Sequence, residues 1–457
     1  MKSVLRLSLF SFLLVACAAG VRAQTAAPSD LPAALEEGCA AARQFARVAS
    51  AVCGPGGFER RHVTGDIYEY TFALRVGGGE HDRIKLHRVV RERAAGVPAH
   101  APQAVVMVHG DLWGFDAAFL GSTLSGSVPR EQSIGVYLAA RGLDVWGVDL
   151  RWTQVPATTS DFSFMKDWNI STHVSDISTA VRVARGVRKF DGLGGGPVTL
   201  LGWSRGGVLA YAYANEEARM PESRRQVKAL IPVDIAYRFN DEHAAQRDAA
   251  CQRYAANKQL LDSGRYFSDQ GTGVRAFGLL AASAPDAGSP IPGFGGLTNR
   301  QAALLVGSAT HILFAGLPPV PAYHFTAGNF DASNLPVGLQ FTREPYFYDF
   351  MQAAAPFQSF AEQVESEAIF CGGADVTYDD HLAEITVPVL YVGAGGGFGR
   401  YGADTLAHLG SADKSAHVVE LYPAEARPVE FGHADLFLAD NARDLVWAPI
   451  YDWIAAH

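Results

Sequence analysis

Ser204 stands in Gly202-Trp-Ser-Arg-Gly206, a spacing that suits a nucleophile held on a sharp turn. The apolar run Pro197–Leu201 before it reads as a buried strand, and Val208-Leu-Ala-Tyr-Ala-Tyr-Ala after it reads as a helix. Glycines at 202 and 206 let neighbouring backbone pass close to the turn, where a Cβ would intrude. A neutral hydroxyl is a poor nucleophile, so the chemistry needs a base to take its proton and a carboxylate to orient that base. His433, in Gly432-His-Ala-Asp435 on a loop after the last expected strand, is the candidate base. His408 and His417 fall within helix and strand bodies, and His243, His311, His324 and His381 fall in a separate aromatic region. Two carboxylates compete for the third role. Asp404, the first acid after the strand that ends at Gly393, is placed first, and Asp234, at the end of an earlier strand, is the alternative. Asp413 precedes the last strand and so falls at the wrong end of a parallel sheet. A tetrahedral intermediate also needs two donors for its oxygen. The Arg205 N–H follows the nucleophile directly. The Asp111 N–H lies where His109-Gly110 turns the backbone after a strand, and its side chain is expected to be irrelevant to that role.

The elements that must position these residues follow from hydrophobic patterning. Tyr68–Val76 and Arg83–Val90 alternate apolar with polar around Gly77-Gly-Gly79, which predicts an antiparallel hairpin. The continuous apolar run Ala104–Val108 and the buried-strand candidates Leu143–Asp149, Val198–Leu201, Val227–Asp234 and Val387–Gly393 alternate with helical stretches near Ser133–Ala140 and Ser175–Lys189. His417–Tyr422 reads as the last strand. Strands that are apolar throughout and separated by helices predict a mostly parallel sheet covered on both faces. From Asp234 to about Glu384 this rhythm stops. Short helical pieces broken by Gly and Pro carry Tyr323, Phe325, Phe341, Tyr346, Phe347, Tyr348, Phe350 and Phe357, which is too apolar for a disordered tether.

Residues 1–23 carry Lys2, Arg6, an apolar run from Leu7 to Ala19 and Val21-Arg-Ala23, the pattern of a secretory signal with a small-residue cleavage site. Leu14-Val-Ala-Cys17 also resembles a lipoprotein box that would leave Cys17 lipidated. The expected location is therefore secreted or periplasmic, with anchoring at Cys17 as the variant. No other run reaches the ~20 apolar residues a membrane span needs. Cys39, Cys53, Cys251 and Cys371 make an even set that allows three pairings; proximity favours Cys39 with Cys53, leaving Cys251 with Cys371, and free buried thiols are the competing expectation. Across 457 residues, 48% are hydrophobic, enough for a large core, and the net charge of -9 without a basic run argues against nucleic acid as a partner. No metal-binding Cys or His spacing occurs. Gly397-Phe-Gly-Arg-Tyr-Gly402 fits a dinucleotide fingerprint, but no second βαβ half follows it.

His109-Gly110 after a strand, Gly202-Trp-Ser-Arg-Gly206 and Gly432-His433-Ala-Asp435, in that order, resemble the α/β-hydrolase superfamily over roughly residues 65–234 and 385–457. The resemblance implies an α/β fold with a mostly parallel sheet, helices on both faces, a Ser-acid-His triad and no cofactor. It also implies a mostly helical cap at residues 235–384, inserted between the sixth and seventh strands, and it leaves 24–64 as an N-terminal segment with its own disulfide. Trp203, Tyr346, Phe347 and Phe350 are the rings expected to line a pocket for the acyl or alcohol part of a small-molecule or lipid-like ester. An amidase or peptidase using the same triad, or a non-catalytic binding protein on this fold, are the competing expectations.

Overall fold

The computed structural model describes residues 58–313, 320–373, 375–376 and 378–457. The signal segment, Cys17, Cys39, Cys53 and most of the expected N-terminal segment lie outside the described residues. A ten-stranded sheet organises the rest. Its long strands are β1 (Phe58–Thr64), β2 (Ile67–Arg75), β3 (Arg83–Ala94), β4 (Ala104–Val108), β5 (Asp144–Asp149), β6 (Val198–Trp203), β7 (Val227–Val233), β8 (Val389–Ala394) and β9 (Lys414–Val419), with the two-residue strand Val97–Pro98 paired to β3. Their spatial order is β1-β2-β3-β5-β4-β6-β7-β8-β9. The first three strands join the sheet antiparallel, and everything from β5 onward is parallel.

This order explains the two kinds of apolar pattern. Strands β4, β5, β6 and β8 are buried along their whole length because both faces are covered, whereas the hairpin strand β2 alternates. The chain goes from β4 to β5 on one side and then back to β6 on the other. The carboxyl ends of β4 and β6 therefore meet at the point where the winding reverses, the place where open α/β sheets form a crevice. That crevice holds both His109-Gly110-Asp111 and Ser204.

Two boundaries differ from expectation. The edge strand β1 was not expected, because Glu59, Arg60, Arg61 and His62 are polar and exposed. It moves the numbering of all later strands by one. The last strand runs Lys414–Val419 rather than His417–Tyr422. Leu421 and Tyr422 look like strand residues but are exposed, and their amides are taken by the Glu430 carboxylate at 2.8 and 2.7 Å instead of by a neighbouring strand.

Helices α1 (Ile134–Ala140), α2 (Ile170–Phe190) and α3 (Arg205–Ala218) cover the sheet. Asn169 caps α2 by accepting from the Thr172 N–H at 3.0 Å, a local role for a residue that also sits in a glycosylation-like triplet. Between β7 and β8 the chain runs outside the main sheet through α4 (Ala244–Asp262), α5 (Gln270–Ser283), α6 (Asn299–Ser308), α7 (Glu344–Gln352) and α8 (Phe360–Cys371). Two small two-stranded sheets join these helices. The region shares a core with the sheet: Tyr346, Phe347 and Phe350 of α7 pack in the same buried cluster as Trp113, Phe119, Trp203 and Phe437.

Helices α4 and α8 lie side by side and are joined by the disulfide Cys251–Cys371, the pairing that proximity left over. The bridge spans 120 residues, so in the chain-entropy model it stabilises by about 4–5 kcal/mol through restriction of the unfolded chain. Cys251→Ser with Cys371→Ser should lower the urea midpoint substantially. A non-reducing peptide map should recover the two cysteines as one linked pair; recovery of both as free thiols would refute the bridge.

Candidate active site

Ser204 sits between β6 and α3 with φ 54 and ψ -127, a backbone conformation strained for any residue with a side chain. Its amide donates to the Val233 carbonyl of β7 at 2.8 Å, which locks the turn to the next strand. The two glycines of the motif are required by distance. A Cβ on Gly202 would stand 2.1 Å from the Gly206 carbonyl oxygen, and one on Gly206 would stand 2.2 Å from the Val108 carbonyl oxygen. Gly110 meets the same constraint from the other side, since its Cβ would lie 2.6 Å from that of Ser204. The loop after β4 therefore runs directly against the serine. His109 shapes that loop: its Nε2 accepts from the Leu150 N–H at 3.1 Å, so its Nδ1 carries the proton and donates to the Gly110 carbonyl at 2.9 Å. Burial keeps this imidazole neutral by lowering its pKa.

His433 lies on the loop after β9 and is 1% exposed. Its Nδ1 donates to Asp234 Oδ2 at 2.6 Å, which leaves Nε2 unprotonated and available as a base. Trp203 stacks on the imidazole with ring centroids 5.0 Å apart, and Tyr323 and Phe325 flank it at 5.3 and 5.4 Å. Gly432 permits that flanking, because a Cβ there would meet the Phe325 carbonyl at 2.7 Å. Asp435 completes the loop by accepting from the Gly432 N–H at 2.8 Å and the Ala327 N–H at 2.7 Å. It thereby ties the histidine loop to the region between β7 and β8.

Asp234, at the end of β7, is the carboxylate that the structure brings to His433. It is fully buried, with φ 48, a conformation Asp tolerates better than most residues. Oδ1 accepts from the Ala394 N–H at 2.8 Å and the Gly399 N–H at 3.1 Å, while Oδ2 accepts from the Phe398 N–H at 3.1 Å as well as from His433. Four donors thus compensate one buried charge. The Gly-rich stretch after β8 is the mould for this carboxylate, since a Cβ on Gly397 would fall 1.9 Å from Asp234 Oδ2. Of the fingerprint-like glycines, Gly397 is accounted for by Asp234, while Gly402 makes room for the Tyr391 hydroxyl, 2.1 Å from where a Cβ would stand.

Asp404, placed first as the acid from sequence, does not reach His433. Its Oδ2 accepts from His243 Nδ1 at 2.6 Å and from the Asn240 N–H at 2.9 Å, so it serves the start of the region after β7. The physical reason is that the loop after β8 turns inward over Asp234 and spends its amides there, carrying Asp404 out to the far side. Asp413 sits just before β9, where it contacts His457 Nε2 at 3.0 Å.

Ser204, His433, Asp111, Arg205 and Trp203 line one cavity of about 440 Å³. Leu112, Trp113, Phe277, Phe347, Met351 and Phe370 supply much of its apolar wall. Of the rings expected there, Trp203 and Phe347 are present, and Tyr346 and Phe350 are not. Helix periodicity separates them: Phe347 and Met351, four residues apart, face the cavity, whereas Tyr346 and Phe350, also four apart, face the sheet domain. Phe350 stacks on Trp113 with centroids 4.2 Å apart, and the Tyr346 ring packs against Gly121. Trp113, Tyr323, Phe325 and Phe398 also line the cavity and were not expected to; the nearness of Phe325 and Tyr323 to His433 follows from a chain crossing that no local pattern signals.

Two groups of carboxylate and imidazole side chains come close enough to hold a cation among the described residues, Glu69-His87-Asp116 and Glu242-His243-Asp404. The first is already charge-compensated. Arg61 pairs with Glu69 and Asp116, and Lys85 with Asp116 and Asp149. Although burial opposes its charge, Asp149 and Asp116 hold the His87 imidazolium up to about 9. The network anchors the segment after the β4 loop, where Asp149 Oδ1 accepts from the Phe115 N–H at 2.6 Å.

No family model matches the sequence, and no curated protein matches it. Solved structures do resemble it. A Sulfolobus solfataricus protein provisionally assigned as a lipase is 18% identical, with 88% of this chain and 99% of that chain covered and a TM-score of 0.55. A soluble variant of the Saccharomyces cerevisiae monoglyceride lipase, solved with a substrate analogue, is 13% identical over 88% of this chain and 96% of its own, with a TM-score of 0.41. A thioesterase domain from the curacin biosynthetic pathway is 16% identical over 87% and 99%, with a TM-score of 0.39. The first is close enough to show a shared fold.

Proposed function

We propose, on the α/β-hydrolase fold that this chain has, that the protein is an exported serine hydrolase cleaving a carboxylic ester with an apolar acyl or alcohol part. The observation that carries this is the joint placement of a serine on a strained turn and a histidine paired with a buried aspartate in one apolar cavity. In this reaction His433 Nε2 takes the Ser204 proton as Oγ attacks the ester carbonyl, and the Asp234 carboxylate stabilises the imidazolium. The Asp111 and Arg205 amides donate to the oxyanion; Arg205 opens α3, so its N–H has no acceptor within the helix. Collapse of the intermediate breaks the C–O bond, and the leaving alcohol takes the proton from His433. Water, deprotonated by the same imidazole, then releases the acid from the acyl-serine.

Residues 235–384 act as a cap whose aromatic side chains form the pocket, over a core of residues 65–234 and 385–457. The signal-like segment at 1–23 and the Cys251–Cys371 bridge support export, since disulfides persist in oxidising compartments. No helix among the described residues is long and apolar enough to cross a membrane.

The test is a chain-length series of chromogenic esters with the matching anilides, run beside fluorophosphonate labelling. Longer or aromatic acyl esters should outpace acetate, and Ser204 should be the labelled residue. Faster turnover of the anilides would instead favour an amidase. Burying one ring against an apolar substrate contributes roughly 1.5–3 kcal/mol. Phe347→Ala should therefore lower kcat/KM about tenfold to a hundredfold more for long-chain than for acetate esters. Phe350→Ala, which removes the ring stacked on Trp113, should lower the thermal midpoint without that selectivity. Equal losses on every ester for Phe347→Ala would place the pocket elsewhere.

A further inference from the structure

We infer that the side chains of Asp111 and Arg205 form a positioning clamp that fixes the two oxyanion-binding amides relative to each other, and that the region between β7 and β8 anchors this clamp. The inference rests on the reading of Ser204 as nucleophile and of these two residues' amides as its oxyanion donors. The Asp111 side chain, expected to be irrelevant, is instead bound bidentately by Arg205, Nε to Oδ1 at 3.1 Å and Nη2 to Oδ2 at 3.1 Å. One partner follows β4 and the other opens α3; the pairing of β4 with β6 ends at Val108 and Gly202, three residues before each of them, so beyond that point this side-chain pair links the two amides. The fork geometry of a guanidinium on a carboxylate fixes distance and plane together, which a single hydrogen bond would not. The Arg205 side chain is 12% exposed, and its Nη1 has no other partner. Against the pull of burial, Asp111 and, more weakly, the Glu362 and Glu367 charges hold the guanidinium well above the usual range, and Asp111 is the carboxylate it is hydrogen-bonded to.

The loop that carries Asp111 is then gripped at three consecutive residues by the region between β7 and β8. Gln358 Nε2 donates to Asp111 Oδ1, the Ala355 N–H donates to the Leu112 carbonyl at 2.6 Å, and Trp113 Nε1 donates to the Phe350 carbonyl at 2.7 Å. Leu112 is held at φ 68 in the middle of this grip, a conformation that leucine does not adopt unless its surroundings impose it. Gln358 is fully buried in a short strand, Gln358–Ser359, that pairs with Phe267–Ser268. The same segment that walls the pocket therefore also sets the geometry of the oxyanion site, and displacing it would misplace a donor. A donor moved by about 1 Å can cost on the order of a hundredfold in rate without weakening substrate binding.

The test uses Arg205→Met, Asp111→Asn, Gln358→Leu and the Arg205→Met/Asp111→Asn double variant in the full chain. An activated ester gives kcat and KM, and an alkylboronic acid, which forms a tetrahedral adduct with the serine, reports the oxyanion site directly. Arg205→Met should lower kcat about tenfold to a hundredfold with KM within about twofold. Boronate affinity should fall in parallel, while inhibition by the corresponding alkyl alcohol stays unchanged. The double variant should be no worse than the worse single one, since both remove the same clamp. Gln358→Leu should show the same division at smaller amplitude, and it supplies the decisive measurement should Arg205→Met not fold. A fall in thermal midpoint with kcat and boronate affinity unchanged would overturn the inference, as would a rise in KM alone, which would make Arg205 a substrate contact. Persistent hydrolysis and boronate binding in Ser204→Ala would instead overturn the nucleophile assignment, which separates the two failures.

Discussion

Ser204→Ala is expected to lose turnover by on the order of 10⁶ and to abolish fluorophosphonate labelling, with thermal stability nearly unchanged. The loss is that large because the base, its aspartate and the oxyanion donors act on one oxygen, so removing it idles the whole set. Stability is retained because the hydroxyl makes no capping hydrogen bond to α3 and alanine keeps the same Cβ in the same strained turn. A companion variant sharpens the test. Ser204→Gly should be equally inactive yet more stable, because glycine adopts φ 54 freely and the strain of about 1–3 kcal/mol outweighs its greater unfolded-state entropy of about 0.4–1 kcal/mol. Differential scanning calorimetry and a labelled peptide digest check both. A phosphonate adduct on any other serine, or residual hydrolysis within a hundredfold of the parent, would remove Ser204 from the mechanism.

What could be read from the sequence was what short-range pattern encodes. Val198–Trp203 is buried at every position and almost wholly apolar because β6 is covered on both faces, and Gly202 and Gly206 are spaced by the turn between strand and helix. His433 was legible because a glycine-flanked histidine followed the last strand. The leftover pair Cys251 and Cys371 followed from counting. The missed features depend on how distant segments fold over one another. Gly397 was read as part of a fingerprint-like spacing, yet its lack of a side chain makes room for a carboxylate that lies more than 160 residues earlier in the chain. Asp404 was favoured by position after its strand, a rule that assumes the following loop has no other task. The faces of α7 could have been sorted beforehand, since Phe347 with Met351 and Tyr346 with Phe350 obey the helical repeat. The Asp111–Arg205 pair could not, because nothing local relates two residues 94 positions apart.

Asp234→Asn should lower turnover by about 10⁴, and Asp404→Asn should leave it within about twofold. At 234 the carboxylate has two jobs. It accepts from His433 Nδ1, which fixes the tautomer with Nε2 bare, and it stabilises the imidazolium formed as Ser204 is deprotonated. It also receives three backbone amides, two on Oδ1 and one on Oδ2. An asparagine in that mould meets donors at every lone pair, so wherever its own N–H₂ is placed it opposes an amide or the imidazole N–H. Turning the amide to spare the backbone puts N–H₂ against His433 and favours the tautomer with its proton on Nε2, which cannot act as a base. At 404 the same change removes the carboxylate beside His243 and keeps an acceptor for the Asn240 N–H, so its effect should appear in the thermal midpoint rather than in kcat. Measuring kcat and thermal midpoint for the two variants side by side separates the carboxylates. Near-normal turnover in Asp234→Asn, or a collapse of turnover in Asp404→Asn at unchanged stability, would return the acid to the position after β8.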